Sequence, residues 1–257
     1  MRRVARHDDG MPPRHPQLSL KLLTINVHKG VGLWRRPILK HLREAVAMVG
    51  ADIVCLQEVR GGTPAAVPQY EALADGLWPQ HAYGRNAAGP TSDHGNAVLS
   101  RWPILFTRNH DVTVPGDEAR GLLHCVLALP GLAQDLQLIC VHLGLRESHR
   151  RWQLDRLLGL VATVPDSAPL IVAGDFNDWR QRADRILSPV GLHEVHVRHH
   201  GSPARSFPAR WPVLALDRIY LRGIAASRPL PMPRRPWRAL SDHVPVAAAL
   251  TLEGAVA

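Results

Sequence analysis

Between Pro169 and Asp178 the chain reads PLIVAGDFND, and no other stretch restricts the fold as tightly. Leu170-Ile171-Val172-Ala173 is a continuous apolar run without polar alternation, the pattern of a strand covered on both faces. Gly174 ends the run, and Asp175 and Asn177 follow at once. An acid and an amide are thus delivered at the carboxyl end of a buried strand, which in α/β sheets is where ligands bind. Two readings of that pair stand side by side. Asp and Asn favour turns because they hydrogen-bond their own backbone, and a carboxylate at a glycine turn also suits a general base or a metal ligand. Residues at other strand ends must decide between them.

The rest of the chain supplies several. Leu18 to Ile25 reads as a first strand that stops at Asn26, and Asn26-Val27-His28-Lys29-Gly30 closes it with a polar cluster. Pro37 to Val49 carries a helical period with Pro in the first turn. Asp52 to Glu58 then reads as a second buried strand with an acid at its carboxyl end. Residues 60 to 90 suggest a short helix among loops. Strands are expected at 94–101 and 104–106, and at 120–129 and 134–142, the latter two as a hairpin around Pro130-Gly131. The second of these ends at His142. An amphipathic helix is expected at 147–161, a short one at 181–187, and further strands at 193–197, 215–221 and 243–252. PLPMPRRPW, between the last two, reads as a stiff loop without regular structure. A βαβ opening followed by hairpins implies mixed sheets packed on each other with helices outside.

At 257 residues the chain can bury a large core. The expected organisation is a disordered leader over residues 1–17, in which Met11 is an alternative start, followed by one domain over 18–253. No apolar run approaches the roughly 18 residues of a bilayer span, and the basic N-terminus lacks the apolar region of a secretory signal. Cys55, Cys125 and Cys140 all sit in apolar runs without metal-type spacing, as expected for buried thiols in a reducing compartment such as the cytoplasm. Charge is unevenly spread. From Arg180 to His243 there are 12 Arg against 4 acids within a chain of net charge +9. A basic surface of that kind favours polyanions, whether nucleic acid or an anionic membrane. With 3 Lys against 28 Arg the bias is also compositional.

The last expected strand opens Ser241-Asp242-His243, and Asp217 in LDRIY offers a carboxylate to orient and charge that histidine. Taken in order, TINVHKG, LQEV, HGNAVLSRWPI, VHLGL, GDFND, LDRIY and SDHVPV resemble the motifs of the endonuclease/exonuclease/phosphatase superfamily, over nearly the whole chain from Leu18 to Leu252. The similarity is nearest to a bacterial subgroup often encoded beside cardiolipin synthase genes. The resemblance implies a DNase I-like four-layer α/β/β/α sandwich and Mg²⁺-dependent phosphodiester hydrolysis, with Mn²⁺ as a substitute. It implies Glu58 as the principal metal ligand, with Asn26 and Asp242 assisting. Asp175 would orient or deprotonate the attacking water, and Asn177 and Asn96 would bind phosphate oxygens. His243, held by Asp217, would stabilise phosphorane-like charge or donate a proton, and His142 would stand near the leaving group.

Arg120 is a candidate phosphate clamp or a surface ion-pair partner, and Arg150 and Gln153 are weaker candidates for the same task. His193, His196, His199 and His200 fit no zinc template and read as an exposed loop. His28-Lys29-Gly30 and His142 depart from the abasic-site endonuclease pattern and resemble the sphingomyelinase and DNase I branches. Three functions follow for testing: a nuclease, slightly favoured by the basic C-terminal third; a lipid or lipid-headgroup phosphodiesterase in peripheral contact with anionic membranes; and a non-catalytic binding module.

Overall fold

The computed structural model describes residues 17–32, 37–63, 66–89 and 93–254, so the expected leader, Met11 included, lies almost wholly outside the described residues. Two mixed six-stranded sheets form the centre. The first holds β1 (Gln17–Asn26), β2 (Ile53–Arg60), β3 (Gln80–Ala88), β4 (Asp93–Ser100), β11 (Ala226–Leu230) and β12 (Val246–Glu253), in the spatial order β11-β12-β1-β2-β4-β3. The second holds β5 (Ile104–Asp111), β6 (Gly121–Leu127), β7 (Leu136–His142), β8 (Leu170–Asp175), β9 (His193–Glu194) and β10 (Asp217–Arg222), in the order β5-β6-β7-β8-β10-β9. Helices α1 (Leu39–Val49), α2 (Gln69–Ala74) and α6 (Trp237–Leu240) cover the outer face of the first sheet, and α3 (Glu147–Val161) and α4 (Arg182–Leu187) that of the second. The four-layer sandwich expected from the motifs is therefore the observed architecture.

Burial explains why the central strands read as unbroken apolar runs. In β1, Leu20 and Leu22 point into the layer between the sheets, whereas Leu23 and Ile25 pack beneath α1. In β8, Ile171 and Ala173 face the inter-sheet layer, and Leu170 and Val172 face α3. Both faces of each strand are covered, so alternation disappears from the sequence. Cys55, Cys125 and Cys140 are free thiols within the inter-sheet layer. Among the described residues no helix is long and apolar enough to cross a membrane.

Several local expectations differ from the structure: β2 runs past Glu58 to Arg60, and β5 past Phe106 to Asp111. The 60–90 segment contains β3, an edge strand whose mixed polarity hides its period; it pairs with β4 along its whole length. The strand expected at 193–197 stops after two residues. Glu194 accepts a hydrogen bond from the Val197 amide (2.6 Å), caps α5 (Val195–His200), and so puts three of the four clustered histidines on a helix. In the proline-rich stretch, Pro229 and Leu230 belong to edge strand β11, where a missing N–H is tolerated, and Trp237 opens α6. The final strand begins at Val246, three residues after His243, which leaves Ser241 to Pro245 as a turn.

Apolar burial in the inter-sheet layer contributes to the stability of the sandwich. Leu22→Ala is expected to lower unfolding free energy by about 2–5 kcal/mol, and Leu105→Ala, at an exposed position of β5, by less than about 0.5 kcal/mol. Urea denaturation monitored by circular dichroism compares the two, and equal losses would mean that the layer between the sheets is not the dominant core.

Candidate active site at the junction of the two sheets

Strand pairing alone brings the polar strand ends together. Parallel pairing of β1 with β2 sets Asn26 opposite Gln57, beside Glu58, and antiparallel pairing of β1 with β12 returns His243 to the same end of the first sheet. In the second sheet, His142 lies opposite Asp175 in the parallel β7–β8 pair, and Asp175 lies opposite Asp217 in the antiparallel β8–β10 pair. The two groups then meet across the sandwich. Asn26 donates through Nδ2 to Asp175 Oδ2 and to Glu58 Oε1, each at 3.2 Å. His243 Nδ1 lies 2.7 Å from Asp217 Oδ2, and its Nε2 lies 3.8 Å from Asp175 Oδ2. His142 Nε2 approaches the same Asp175 oxygen at 3.7 Å and Glu58 Oε1 at 3.9 Å.

Special backbone conformations aim these side chains. Gly174 has φ +149, and a Cβ there would sit 2.0 Å from the Val141 carbonyl, so only glycine allows β7 to approach this closely. Glu58 has φ +54 within an irregularity between Leu56 and Val59, which turns its carboxylate towards Asn26. Asn177, at φ +49, donates its amide N–H to Asp175 Oδ1 (2.9 Å) and its Nδ2 to the Leu143 carbonyl (2.8 Å). The turn-capping reading of Asp175 is thus correct as far as Oδ1 goes, while Oδ2 faces Asn26 and the two histidines.

Burial separates the titrating groups. Asp175 is pushed up to about 6, chiefly by desolvation and partly by the Asp217 charge, against the lowering effect of His243. His142 is driven well below its ordinary value, first by burial and then by Arg120 and His243, so it is a neutral imidazole. His243 is also penalised by burial, but the Asp217 and Asp175 carboxylates outweigh this and raise it to about 10. At neutral pH the centre therefore holds an ionised, unusually basic carboxylate, a cationic histidine and a neutral one.

The remaining expected residues fall into two groups. Asp242 is half-exposed at the mouth, where its Oδ2 lies 3.0 Å from His28 Nδ1. Arg120 is buried, ion-paired with Glu118 (2.8 Å), and near enough to His142 to depress it. Asn96 is fully buried and donates Nδ2 to the Gly121 (2.9 Å) and Cys140 (3.3 Å) carbonyls, so its amide nitrogen ties the sheets together. Arg150 and Gln153 brace the loop after His142: Arg150 donates to the Gly144 carbonyl, and Gln153 accepts from the Gly144 amide (2.7 Å).

Two serines escaped the sequence reading. Ser241 donates to the Asn26 carbonyl (2.7 Å) and accepts from the His243 amide (3.1 Å), and Ser206 accepts from the Asp217 amide (3.2 Å). Ser241 could have been found as the turn-former before Asp242. Ser206 has no local signal.

The donor chemistry fits a hard divalent cation. Glu58, Asp175, Asp217 and Asp242 bring four carboxylates to one end of the sandwich, and their cationic partner within the cluster is His243. Oxygen donors of this kind suit Mg²⁺ or Mn²⁺ rather than a thiophilic metal. Ligand atoms of Asp175, Asp217 and His243 also lie within 4.8 Å of one another and could hold a metal. In that group Nδ1 of His243 is already engaged by Asp217, and outside it Glu58, Asn26 and Asp242 offer further oxygen donors.

Known proteins share this frame. YbhP of Escherichia coli strain K12, an uncharacterized protein, is 51% identical over 253 residues, covering 94% of this chain and all of that protein. An endonuclease/exonuclease/phosphatase structure from Beutenbergia cavernae superposes with a TM-score of 0.77 at 21% identity, over 92% of this chain and 72% of that one. TDP2 of Caenorhabditis elegans superposes with a TM-score of 0.67 at 18% identity, over 91% and 74% respectively. The sequence model of the endonuclease/exonuclease/phosphatase family matches residues 23–243, a span that begins inside β1 and ends on the histidine paired with Asp217. The chain belongs to the endonuclease/exonuclease/phosphatase family.

Proposed function

We propose that this chain is a divalent-metal-dependent phosphodiesterase in which Asp175 activates the attacking water. Endonucleases, exonucleases and phosphatases share hydrolysis of a phosphoester bond, and the family assignment supports a hydrolase of that general kind. The observation that carries the finer reading is the position of Asp175 Oδ2, which faces Asn26, His142 and His243 at 3.2, 3.7 and 3.8 Å.

Each residue has work suited to its charge. A carboxylate raised to about 6 is ionised at neutral pH yet more basic than an ordinary one, so it suits orienting a water and accepting its proton. Cationic His243, locked by Asp217 through Nδ1, presents Nε2 to the reacting region and suits stabilisation of charge that builds on phosphate oxygens. Neutral His142 adds a hydrogen bond near the departing oxygen without a second positive charge beside His243. Asn177 holds Asp175 in orientation, and Arg120 contributes positive potential from behind His142. A hard cation held by Glu58, Asn26 and Asp242 would supply Lewis-acid neutralisation of the phosphate. Because Asn96 spends its amide nitrogen on two carbonyls, its part is to keep the sheets in register beneath the site.

Asp175→Ala and His243→Ala are each expected to lower kcat/KM for bis(p-nitrophenyl) phosphate by about 10²–10⁴-fold, with the circular dichroism spectrum unchanged. Full activity in either variant would remove these residues from the reaction, and inactivity of the parent enzyme would favour a binding module. Chelation by EDTA is expected to abolish hydrolysis, and added Mg²⁺ or Mn²⁺ to restore it. Turnover that persists in EDTA would contradict metal dependence.

A further inference from the structure

Three loops around the catalytic mouth expose large apolar side chains, although each begins or ends on a buried catalytic residue. Leu145 follows His142 by three residues and is 65% exposed, and Trp179 follows Asn177 by two and is 43% exposed. The longest loop precedes Asp217 and exposes Trp211 by 69% and Val213 by 60%, with Leu214 partly exposed beside them. This loop is stiff. Phe207 and Leu214 exchange backbone hydrogen bonds at 3.0 and 2.8 Å, the Val213 amide donates to the Phe207 carbonyl, and the Phe207 ring packs on His243 at 5.0 Å. Its apolar tip is therefore held out in water by a base anchored to the catalytic histidine, and an apolar cluster so placed points to an interaction surface.

Around the Trp211 loop the exposed charge is predominantly positive, with Asp242 the acid at the mouth. Between Val195 and Ser241 there are nine arginines, and the lone acid, Asp217, is buried. Arg210, Arg234 and Arg238 are exposed around the tip, and Arg234 lies 5.2 Å over the Trp211 ring. A groove of about 650 Å³ runs from His28 and Asp242 past Pro208 and Ala209 to Trp211, with Arg210 and Arg238 on its walls.

We propose that the face carrying the catalytic mouth docks on an anionic phospholipid bilayer, and that the phosphodiester cleaved there belongs to a lipid; the second clause rests on the hydrolase reading above. Trp with aliphatic neighbours inserts at the interface between headgroups and acyl chains, and arginines around it pair with anionic headgroups. A single-stranded nucleic acid would instead use open aromatic faces for stacking. Here one face of Trp211 is occupied by Arg234, and Val213 and Leu214 have no face to offer. The apolar groove beside Asp242 suits the glycerol and first acyl carbons next to a lipid phosphate.

The full chain is to be co-sedimented with phosphatidylcholine vesicles with and without phosphatidylglycerol, and titrated separately with an oligothymidylate. The expected result is at least about tenfold stronger binding to the anionic vesicles. The triple variant Trp211→Ser/Val213→Ser/Leu214→Ser should lose that binding, as should the charge variant Arg210→Glu/Arg234→Glu, while both retain hydrolysis of bis(p-nitrophenyl) phosphate. Equal binding to both vesicle types, or vesicle binding unchanged in both variants, would overturn the docking surface. Tip-dependent binding of oligothymidylate in preference to vesicles would assign the surface to nucleic acid and overturn the proposal. Release of glycerol phosphate or phosphatidic acid from the anionic vesicles tests the lipid substrate, and its absence beside good turnover of the soluble ester would overturn that clause alone. Tip-dependent vesicle binding with no hydrolysis of either ester would leave docking intact and refute the phosphodiesterase.

Discussion

The hydrogen bond between His243 and Asp217 joins the two halves of the molecule. Asp217 opens β10 in the second sheet, and His243 stands just before β12 in the first. The amide of Asn26, at the end of β1, crosses the same gap to Asp175 at the end of β8. Neither sheet holds a complete site, because the charged groups meet only when the sandwich closes. The clustered groups are consequently fixed by whole-sheet packing, which is the most rigid framework the fold offers. The cost is desolvation. Asp175 and Asp217 are almost wholly buried and lie opposite each other in the β8–β10 register, an arrangement that needs a compensating cation at short range.

That requirement accounts for the division between the two histidines. His243, bonded to Asp217 at 2.7 Å, holds its proton, whereas His142 loses its own first through complete burial and then through the Arg120 and His243 charges, although Asp175 and Glu58 lie within 4 Å of it. Two imidazoles beside one Asp175 oxygen thereby acquire different charges, although the sequence contains nothing but two histidines at strand ends. If both were cationic they would repel at close range. If both were neutral, Asp217 would be a buried charge without a partner. Environment, and not residue type, assigns the roles.

How far the site could be read in advance follows the same physics. Asn26, His142, Asp175 and Asp217 were legible because each ends or opens a central strand, and Glu58 because it follows the apolar run of β2; such strands announce themselves as apolar runs covered on both faces. The meeting of their side chains needed the pairing order, which passes from β2 to β4 and from β8 to β10 and has no local signature. The edges were illegible for the opposite reason. β3 and β11 are half-exposed, carry polar residues and proline, and so lose the pattern that identifies a strand. Glu194 ended β9 by capping a helix, where histidine and valine composition suggested a longer strand. The contacts of Asn96 were similarly hidden, since nothing in the sequence says that its amide nitrogen bonds the Gly121 and Cys140 carbonyls of the other sheet.

The charge distribution combines these features. The interior of the site is acidic, and the exposed arginines of the segment from Val195 to Ser241 make the ground outside it cationic, with Arg218 buried and Arg222 paired with Asp166. A phosphodiester approaching along the arginine-rich surface is attracted at long range, where the net charge of +9 acts, and meets carboxylates only at the last step. Those carboxylates alone would repel an anionic substrate, so on the proposed reading a divalent cation held by the same acids would favour admission of the phosphate. The exposed loops extend this logic outward: their roots at His142, Asn177 and Asp217 are immobilised by the sandwich, and their tips carry Leu145, Trp179 and Trp211 to the surface. The exposed tips and the buried strand ends are therefore separated by only a few residues, so on the proposed reading a surface bound at the tips would be held in a defined orientation to the carboxylates.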